Sequence, residues 1–449
     1  MTMDDVFRDI DARRDEYVAL LQKLCRQPSI SAQKIGIREM ATLLANTMRE
    51  LGIDARLCET SGDPIVFGEV KGASDKTLLF YNHYDVQPPE PLEKWDSPPF
   101  AAEIRDGKIY ARGATDNKGN VMTRLAAVRS FLNARGTLPI TVKFLFDGEE
   151  EIGSHSLLPF IQNNMALLKA DACIWEDCGS KDHPDQPMIS LGNKGMTYLQ
   201  LNVRTAQVDF HSSLAPVYEN AIWRLVWALA SLKGPDGRVA VEGFYDDVVP
   251  LTEEEKALAA AMGPVSLAER KRLFGIRRFV NDMPDKEVNR HLVEEPTCNI
   301  AGIYGGYTGQ GDKTIVPCEA FAKLDLRLVV AQRPEDIAGK VQVHLRKHGY
   351  DEIEVEVLSR SEPSTSPIHS HLNDAIAEAA LAVYGKRPVI KPRGTGGTPA
   401  WMVNNYMKIP VTGTGIGYAG ARTHGHNENI DIRQYHDGIK FMAATIASF

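Results

Sequence analysis

Short apolar segments that run directly into histidine, aspartate or glutamate place the strongest constraint on how this chain can fold. Residues 64–70, 77–81 and 140–146 have the length and composition of buried β-strands. A helical pattern at 120–134 separates the last two of these segments. Strand, helix and strand in this order predict an α/β sheet with helices on both faces.

The pattern changes after about residue 188, where residues 196–204 alternate between apolar and polar side chains, as in a half-exposed strand. Further segments follow: helical near 220–233 and 335–348, and strand-like near 322–330 and 352–358. We therefore predict that a smaller α+β domain, residues 190–361, is inserted into a larger α/β domain formed by residues 1–189 and 362–449.

Charge and composition exclude several classes of protein. Acidic residues number 59 and basic residues 51, so the formal charge is −8, and no Lys/Arg-rich run marks a nucleic-acid-binding surface. No apolar run approaches the roughly 18 residues of a membrane span, and the acidic N-terminal segment lacks the apolar core of a signal peptide. The six cysteines are scattered without CxxC spacing, as in reduced intracellular proteins. We expect a cytoplasmic protein without nucleic-acid or membrane partners.

The first segment that carries chemistry follows the predicted strand at 77–81 and places His83 two residues before Asp85. Residues two apart on a strand share a face, so the carboxylate can fix the tautomer of the imidazole, as it does for metal-binding histidines. A strand-end histidine with a chance neighbour is the alternative. Asp116 poses a similar choice, because a carboxylate in a glycine-flanked turn before a helix suits either a metal ligand or an N-cap.

Three consecutive glutamates, residues 149–151, follow the strand-like segment 140–146. Their mutual repulsion is unfavourable at the end of a buried strand unless a cation offsets it. With a cation present, one carboxylate can bind the metal while its neighbour acts as a general base. A solvated, acidic start of a helix is the alternative.

Two further segments supply carboxylate or imidazole groups. Glu176 and Asp177 follow the apolar segment 172–175, and open α/β sheets place their sites at the carboxyl ends of strands. His424 lies in the segment Thr423-His-Gly-His-Asn-Glu-Asn429, which has no standard zinc spacing. Together the five segments offer His, Asp and Glu side chains, the nitrogen and oxygen ligands that suit zinc or manganese.

The order and composition of these motifs resemble the M20 family of metallopeptidases, and within it the carnosinase-like and cytosolic nonspecific dipeptidase branch. The resemblance extends over nearly the whole chain and is weakest at about 235–290, to which the sequence assigns no role. The matching segments are His83-Tyr-Asp-Val-Gln-Pro, Trp95-Asp-Ser-Pro-Pro-Phe, Arg112-Gly-Ala-Thr-Asp-Asn-Lys-Gly, Glu150-Glu-Ile-Gly-Ser and Thr314-Ile-Val-Pro. The resemblance implies that the larger domain is the catalytic, metal-binding domain and that the inserted domain serves as a lid and dimerisation domain.

The resemblance also implies a role for each candidate. Asp116 bridges two divalent metal ions, with the peptide bond after it in cis, Glu150 is the general base and Asp85 orients His83. A one-residue shift would put Asp177 at the ligand position that Glu176 matches. Zinc is the expected metal, with manganese or cobalt as alternatives. The implied metal ligands are His83, Asp116, Glu151, Glu176 and His424.

Four residues of later segments match positions that act on the substrate in the family. His211, in Asp209-Phe-His-Ser-Ser, matches the histidine that stabilises the oxyanion of the reaction, and Arg327 matches the arginine that binds the terminal carboxylate. Gly397 and Thr398 lie in the matching glycine-rich turn. Without the resemblance, His211 and Arg327 would be interpreted as a surface histidine and a strand-edge arginine.

These assignments predict a two-metal hydrolase that cleaves the amide bond of dipeptides or similar small substrates with a free carboxylate. They also imply a homodimer, since the carnosinase-like branch pairs through the inserted domain. An N-acyl-amino-acid deacylase or desuccinylase of the same family is the alternative. A non-catalytic binding protein on this fold would be expected to lack the base or a ligand, and a structural-metal protein would be expected to use cysteine ligands. The sequence has neither property.

Overall fold

The computed structural model describes residues 3–176, 186–418 and 420–449. In chain order, the helices are α1 (Asp4–Ala12), α2 (Arg14–Arg26), α3 (Ile37–Glu50), α4 (Asn120–Arg135), α5 (Leu157–Asn163), α6 (Met165–Leu168), α7 (Ala221–Leu232), α8 (Glu253–Ala261), α9 (Leu267–Phe274), α10 (Val288–Glu294), α11 (Pro334–Lys347), α12 (His371–Tyr384) and α13 (Ile432–Ser448). None of the helices in these described ranges combines the length and apolarity needed to cross a lipid bilayer.

The strands are short and are distributed over the whole chain. In order, they are β1 (Asp54–Cys58), β2 (Ile65–Val70), β3 (Thr77–His83), β4 (Glu103–Arg105), β5 (Lys108–Tyr110), β6 (Thr141–Asp147), β7 (Ala172–Trp175), β8 (Met188–Ser190), β9 (Gly192–Asn193), β10 (Gly195–Arg204), β11 (Phe210–His211), β12 (Asn299–Gly305), β13 (Ile315–Val316), β14 (Glu319–Leu328), β15 (Glu354–Ser361), β16 (Ser364–Thr365), β17 (Val389–Lys391), β18 (Val411–Gly413) and β19 (Asn429–Asp431).

The chain divides into two compact units. Unit 1 comprises Met1–Gly192, Ser366–Lys391 and Met402–Phe449. Unit 2 comprises Asn193–Thr365 and Pro392–Trp401. The last segment of unit 2 contains the glycine-rich turn that holds two of the residues expected to contact the substrate.

Unit 1 is built on a mixed eight-stranded sheet of order β1-β2-β6-β3-β7-β18-β8-β17. Its centre is parallel, because β3 pairs in parallel with both β6 and β7, and β18 pairs in parallel with β7. The side chains of β6 and almost all of those of β3 are buried, as expected for strands covered on both faces. The predicted α/β fold class is confirmed, and the carboxyl ends of β3, β6 and β7 meet at one edge of the sheet.

Helices pack around this sheet and its core. Helix α4 packs against α1 and α13, and α12 packs against α13. Helix α4 ends where Gly136 adopts φ 71°, a left-handed conformation that ends many helices. The helical pattern of residues 4–25 forms two helices, α1 and α2, separated at Arg13, whose ψ of 15° interrupts the regular helix.

Unit 2 contains a four-stranded antiparallel sheet of order β12-β14-β10-β15. Buried and half-buried residues alternate along β10 and β14, which confirms the half-exposed strand expected at 196–204. Helices α7 and α11 pack against these strands and enclose a core that includes Leu199, Leu324 and Val341. The segment of unassigned role contains α8, α9 and the start of α10, and its Leu251 and Ala259 form a small apolar cluster with Val293 of α10.

Candidate metal centre

Three neighbouring strands deliver the central residues of the site. His83 is the last residue of β3, Glu176 follows β7 directly, and a short 3-10 helix, Glu150–Ile152, follows β6. Strand β3 lies between β6 and β7 and runs parallel to both. Because the carboxyl ends of parallel strands share one edge, the fold places imidazole and carboxylate groups side by side there.

Asp116 lies between two histidines. Its Oδ1 atom is 2.9 Å from Nε2 of His83, and its Oδ2 atom is 3.0 Å from Nε2 of His424. Asp116 belongs to an irregular π-helical turn, Ala114–Gly119, and departs from helical geometry at φ −116° and ψ 89°. The bond to Asn117 is cis, as the resemblance implied. One carboxylate therefore presents one oxygen to each of two imidazoles.

Asp85 fixes both the imidazole of His83 and the glutamate pair. Nδ1 of His83 lies 3.1 Å from the backbone carbonyl oxygen of Asp85, and Oδ1 of the Asp85 side chain lies 3.3 Å from the same nitrogen, on the side of the ring away from Asp116. The same carboxylate accepts hydrogen bonds from the backbone N–H groups of Glu150 at 3.2 Å and Glu151 at 3.0 Å. With Nδ1 bonded to Asp85, Nε2 is the ring nitrogen that a cation would bind.

The remaining carboxylates are held by side chains around the site. Gln87 donates a hydrogen bond from Nε2 to Oε2 of Glu151 at 2.8 Å, and Oε2 of Glu151 is 3.3 Å from Nε2 of His424. Trp175 donates from Nε1 to Oε1 of Glu176 at 2.8 Å, and Oε2 of Glu176 lies 3.4 Å from Nε2 of His83. Asp177, the alternative to Glu176, lies outside the described residues.

The electrostatics of the cluster favour positive charge. Burial and the neighbouring Glu176 raise the pKa of Glu150 well above its usual value. Burial opposes ionisation of Asp116, but hydrogen bonds from His424 and His83 lower its pKa below the usual range. Burial likewise opposes a charge on His83, yet its hydrogen bond to Asp116 raises its pKa well above the usual value. The pKa of His424 is raised to about 10, chiefly by its hydrogen bond to Asp116.

The donor atoms fit divalent cations. Two sets of three residues place one potential ligand atom each within 4.8 Å of one another: His83, Glu150 and Glu176, and His83, Asp116 and Glu151. Oε1 of Glu151 is buried and makes no hydrogen bond to any described residue, so an acceptor is left over for a cation. Imidazole nitrogens and carboxylate oxygens suit zinc and manganese. One of these sets includes Glu150, the expected base, and His424 joins the other through Asp116 and Glu151. The five expected ligands thus lie together in unit 1.

His211 lies in unit 2, at the end of β11, and is exposed. The backbone N–H of Ser213 donates to Nδ1 of His211 at 3.1 Å. Because Nδ1 accepts this hydrogen bond, the neutral ring carries its proton on Nε2. His211 therefore presents a hydrogen-bond donor to its surroundings.

Arg327 and the glycine-rich turn are neighbours within unit 2. Arg327 on β14 pairs with Asp325, with 3.1 Å between Nε and Oδ1. A Cβ atom at Gly397 would lie 3.5 Å from Nη1 of Arg327, so the turn approaches the guanidinium closely. Thr398 accepts a hydrogen bond on Oγ1 from the backbone of Ala400 at 3.3 Å. Asp325 thus occupies the edge of the guanidinium formed by Nε and Nη2, and Nη1 faces the turn.

Comparison with known proteins decides the family. The model of peptidase family M20/M25/M40 matches residues 79–448. The chain belongs to this family. An M20 family metallo-carboxypeptidase of Sulfolobus solfataricus, Sso-CP2, superposes with a TM-score of 0.90 at 38% identity, over 96% of this chain and 98% of that one.

Two dipeptidases are similar to this M20 chain over almost its full length. The Beta-Ala-His dipeptidase of Rattus norvegicus is 28% identical over 99% of this chain and 94% of its own. The dipeptidase Dug1p of Saccharomyces cerevisiae superposes with a TM-score of 0.81 at 25% identity, over 100% of this chain and 98% of that one. The chain is therefore similar to peptidases along its whole length.

Two residues that build this M20 site, Glu428 and Arg112, have no role that could be assigned from the sequence, although the glutamate stands beside the two histidines of its segment. Both are buried in unit 1 and form an ion pair, with 2.7 Å between Oε2 and Nη1. Glu428 stands in the segment recognised for His424, and Arg112 stands in the segment recognised for Asp116. The only signal in the sequence is that each charged residue stands in a ligand-bearing motif, because its burial is visible only in the structure.

Proposed function

We propose that this M20 peptidase is a two-metal hydrolase that cleaves the peptide bond of dipeptides or similar small substrates with a free carboxylate. The observation that carries the proposal is the Asp116 carboxylate, which presents one oxygen to His83 and the other to His424. Each histidine also lies beside a second carboxylate, Glu176 or Glu151. Two sets of ligands joined by one carboxylate are what a pair of cations requires.

Zinc is the proposed metal, with manganese or cobalt as alternatives. The five proposed ligands offer nitrogen and oxygen donors, which zinc binds readily, and these donors do not exclude manganese or cobalt. Two such cations, held by these ligands, would lower the pKa of a water molecule and would polarise the scissile carbonyl group.

The residues around the cations carry out the proton transfers and stabilise the oxyanion. Glu150 takes a proton from the attacking water, whose oxygen adds to the carbonyl carbon, and delivers a proton to the leaving amine as the C–N bond breaks. His211 donates a hydrogen bond from Nε2 to the oxyanion. Asp85 keeps His83 in the tautomer that can bind a cation.

Arg327 binds the terminal carboxylate of the substrate. Nη2 of its guanidinium donates to Oδ2 of Asp325 at 3.3 Å and Nε lies beside Oδ1, while Nη1 remains beside the glycine-rich turn of Gly397 and Thr398. A guanidinium held in this way can bind a carboxylate with two parallel hydrogen bonds. The names of the similar proteins support this assignment, because a dipeptide and the peptide substrate of a carboxypeptidase each carry a free C-terminal carboxylate.

Carboxypeptidase activity on longer peptides is the second candidate. It is favoured by the 38% identity to the metallo-carboxypeptidase Sso-CP2. Both candidates require the same cations, base and arginine, and they differ in how much chain the site accepts on the N-terminal side of the bond. Deacylation or desuccinylation of N-acyl-amino acids remains the alternative reaction of the family.

The protein is further proposed to be a cytoplasmic homodimer in which unit 2 serves as lid and dimerisation domain. Support comes from the exposed apolar side chains of α7, where Trp223 and Trp227 stack with ring centroids 5.5 Å apart. Exposed aromatic pairs of this kind are typical of protein interfaces. In a two-fold dimer, His211 of each subunit would serve the site of its partner.

A substrate panel tests the function. The apoprotein, reconstituted with zinc, manganese or cobalt, is assayed on dipeptides, on tri- to pentapeptides, and on N-acetyl- and N-succinyl-amino acids. Preferred cleavage of dipeptides supports the proposal, and release of single C-terminal residues from longer peptides at equal rates supports the carboxypeptidase. Activity confined to the N-acyl compounds would contradict both.

A further inference from the structure

A buried ion pair beside the metal centre takes no part in the steps described above. Glu428 is 0% exposed, and Arg112 is 1% exposed. Nη1 of Arg112 donates to Oε2 of Glu428 at 2.7 Å. The two residues are 316 positions apart in the sequence. Each belongs to a segment that carries a proposed metal ligand.

Glu428 holds the backbone that carries Asp116. Its Oε1 atom accepts hydrogen bonds from the N–H groups of Thr115 and of Asp116 itself, both at 3.0 Å. Its Oε2 atom accepts one from the N–H of Gly113 at 2.9 Å. A single carboxylate therefore binds three N–H groups of one turn, and it fixes that turn at the residue that contacts both histidines.

Arg112 links the same carboxylate to His424. Its Nη2 atom donates to the carbonyl oxygen of His424 at 3.2 Å and to that of Pro88 at 3.4 Å. His424 has φ 63°, a left-handed conformation that is uncommon outside glycine. Such a conformation persists when surrounding contacts determine it. The hydrogen bond from Arg112 to the backbone of His424 is one such contact. The side chain of His424 is 54% exposed, so packing around it is incomplete.

A stabilising role alone does not explain this pair. Desolvation of two charges offsets most of their attraction, so a buried ion pair is weak evidence for stability, and its better-attested use is to specify one arrangement. Here the pair fixes two segments whose ligands must bind cations from opposite sides of one carboxylate. Small displacements of either segment would change the distances between Asp116 and the two histidines.

We propose that Glu428 and Arg112 are positioning residues, which hold Asp116 and His424 at the spacing that binds a pair of divalent cations. The proposal rests on the proposed function, because it assigns cation binding to those two ligands. Groups that orient metal ligands in this way commonly change metal affinity by about 10- to 100-fold when they are replaced.

The test measures cation affinity rather than activity alone. Apoprotein is prepared with a chelator, and Zn²⁺ and Mn²⁺ affinities are measured by competition with a metal-binding dye, together with thermal unfolding of the apoprotein. We expect Glu428→Gln, which keeps the size of the side chain and removes its charge, to weaken binding about 10- to 100-fold. At saturating metal, kcat should recover towards the wild-type value while KM stays unchanged.

Two further variants separate positioning from folding. Arg112→Lys keeps the charge, but its ammonium group cannot bond Glu428 and His424 at the same time as the planar guanidinium does. We expect a smaller loss of cation affinity, confined to one of the two cations. Asn373→Ala is the control. Asn373 is a buried side chain of unit 1 that bonds Pro367, Ile368 and Thr412 instead of the ligand-bearing segments. It should lower the unfolding temperature without changing cation affinity.

The outcomes distinguish this inference from the proposed function. If folded Glu428→Gln and Arg112→Lys proteins bind cations as tightly as the wild type, the inference is wrong while the function stands. The same holds if they lose no more affinity than Asn373→Ala. If Glu428→Gln does not fold, Arg112→Lys decides. If the wild type itself binds no pair of cations, the proposed function fails first.

Discussion

The proposed cation ligands of unit 1 and the proposed substrate-contacting residues of unit 2 are held in different ways. In unit 1, each proposed ligand lies within 3.4 Å of another, and Asp85 behind them is fully buried. In unit 2, His211 is exposed and bonded to Ser213, and Arg327 pairs with Asp325. Ligands that repel one another must be fixed in advance, whereas groups that meet the substrate must stay accessible to it.

We expect the largest effect from replacing Glu150, the proposed general base in unit 1. Glu150→Gln should lower kcat by about 10³-fold, because the amide cannot accept the proton of the attacking water. Cation content should be retained, since Glu150 is not among the five proposed ligands. Steady-state kinetics and metal analysis of the purified variant check both parts.

Glu151→Gln is the matched control for that variant. It carries the same substitution one residue later, at a proposed ligand, and should lose cation affinity as well as activity. A Glu150→Gln enzyme with near wild-type kcat would show that the base lies elsewhere. Loss of cations from both variants alike would remove the distinction between base and ligand.

The second effect concerns the arginine of unit 2. Converting the C-terminal carboxylate of a dipeptide to an amide should lower kcat/KM by about 10²-fold, or about 3 kcal/mol, because Arg327 loses its charged partner. Arg327→Met should be slow on the acid and should no longer discriminate between acid and amide. Equal rates of the wild type on both substrates would refute the assignment.

The third effect tests whether the exposed histidine serves a neighbouring subunit. Inactive His211→Ala and Glu150→Gln proteins are mixed under conditions that exchange subunits. If His211 acts on the partner's site, about one quarter of the wild-type activity should return, because half of the dimers are mixed and each contains one intact site. A mixture that stays inactive, with exchange proven by mass spectrometry, would mean that His211 acts within its own subunit or not at all.

We expect the smallest effect from replacing Ser213, whose hydroxyl group lies beside the His211 ring. Ser213→Ala removes the hydroxyl that lies 2.9 Å from Nδ1 of His211 but leaves the backbone N–H that fixes the tautomer. We expect kcat to fall by about twofold, in line with the loss of one weak hydrogen bond. A loss as large as that of His211→Ala would show that the hydroxyl, and not the backbone, orients the ring.

Much of the fold could be predicted from the sequence because its central strands are apolar runs. The segment expected at 140–146 is β6, Thr141–Asp147, and the segment expected at 77–81 is the start of β3, Thr77–His83. The order of the eight strands in the sheet could not be predicted. Short edge strands such as β17, Val389–Lys391, also escaped, since three residues carry too little periodicity to distinguish strand from loop.

In the candidate site, too, some residues could be predicted from the sequence and others could not. The glutamates after β6 could be singled out because three adjacent carboxylates beside an apolar strand need a counter-charge. The role of Glu428 could not, because it depends on three backbone N–H groups more than 300 positions away. His211 and Arg327 entered through resemblance, since nothing in their local sequence separates them from ordinary surface residues.

The central claim is that one carboxylate joins two cation sites in unit 1, and metal stoichiometry tests it most directly. Apoprotein is reconstituted with Zn²⁺, passed through a desalting column and analysed by mass spectrometry for metal per chain. We expect two ions per wild-type chain, about 3.5 Å apart when the loaded protein is examined by X-ray absorption or crystallography. Asp116→Asn, which replaces the shared carboxylate, should retain fewer. A fully active wild-type protein with at most one ion per chain would contradict the account.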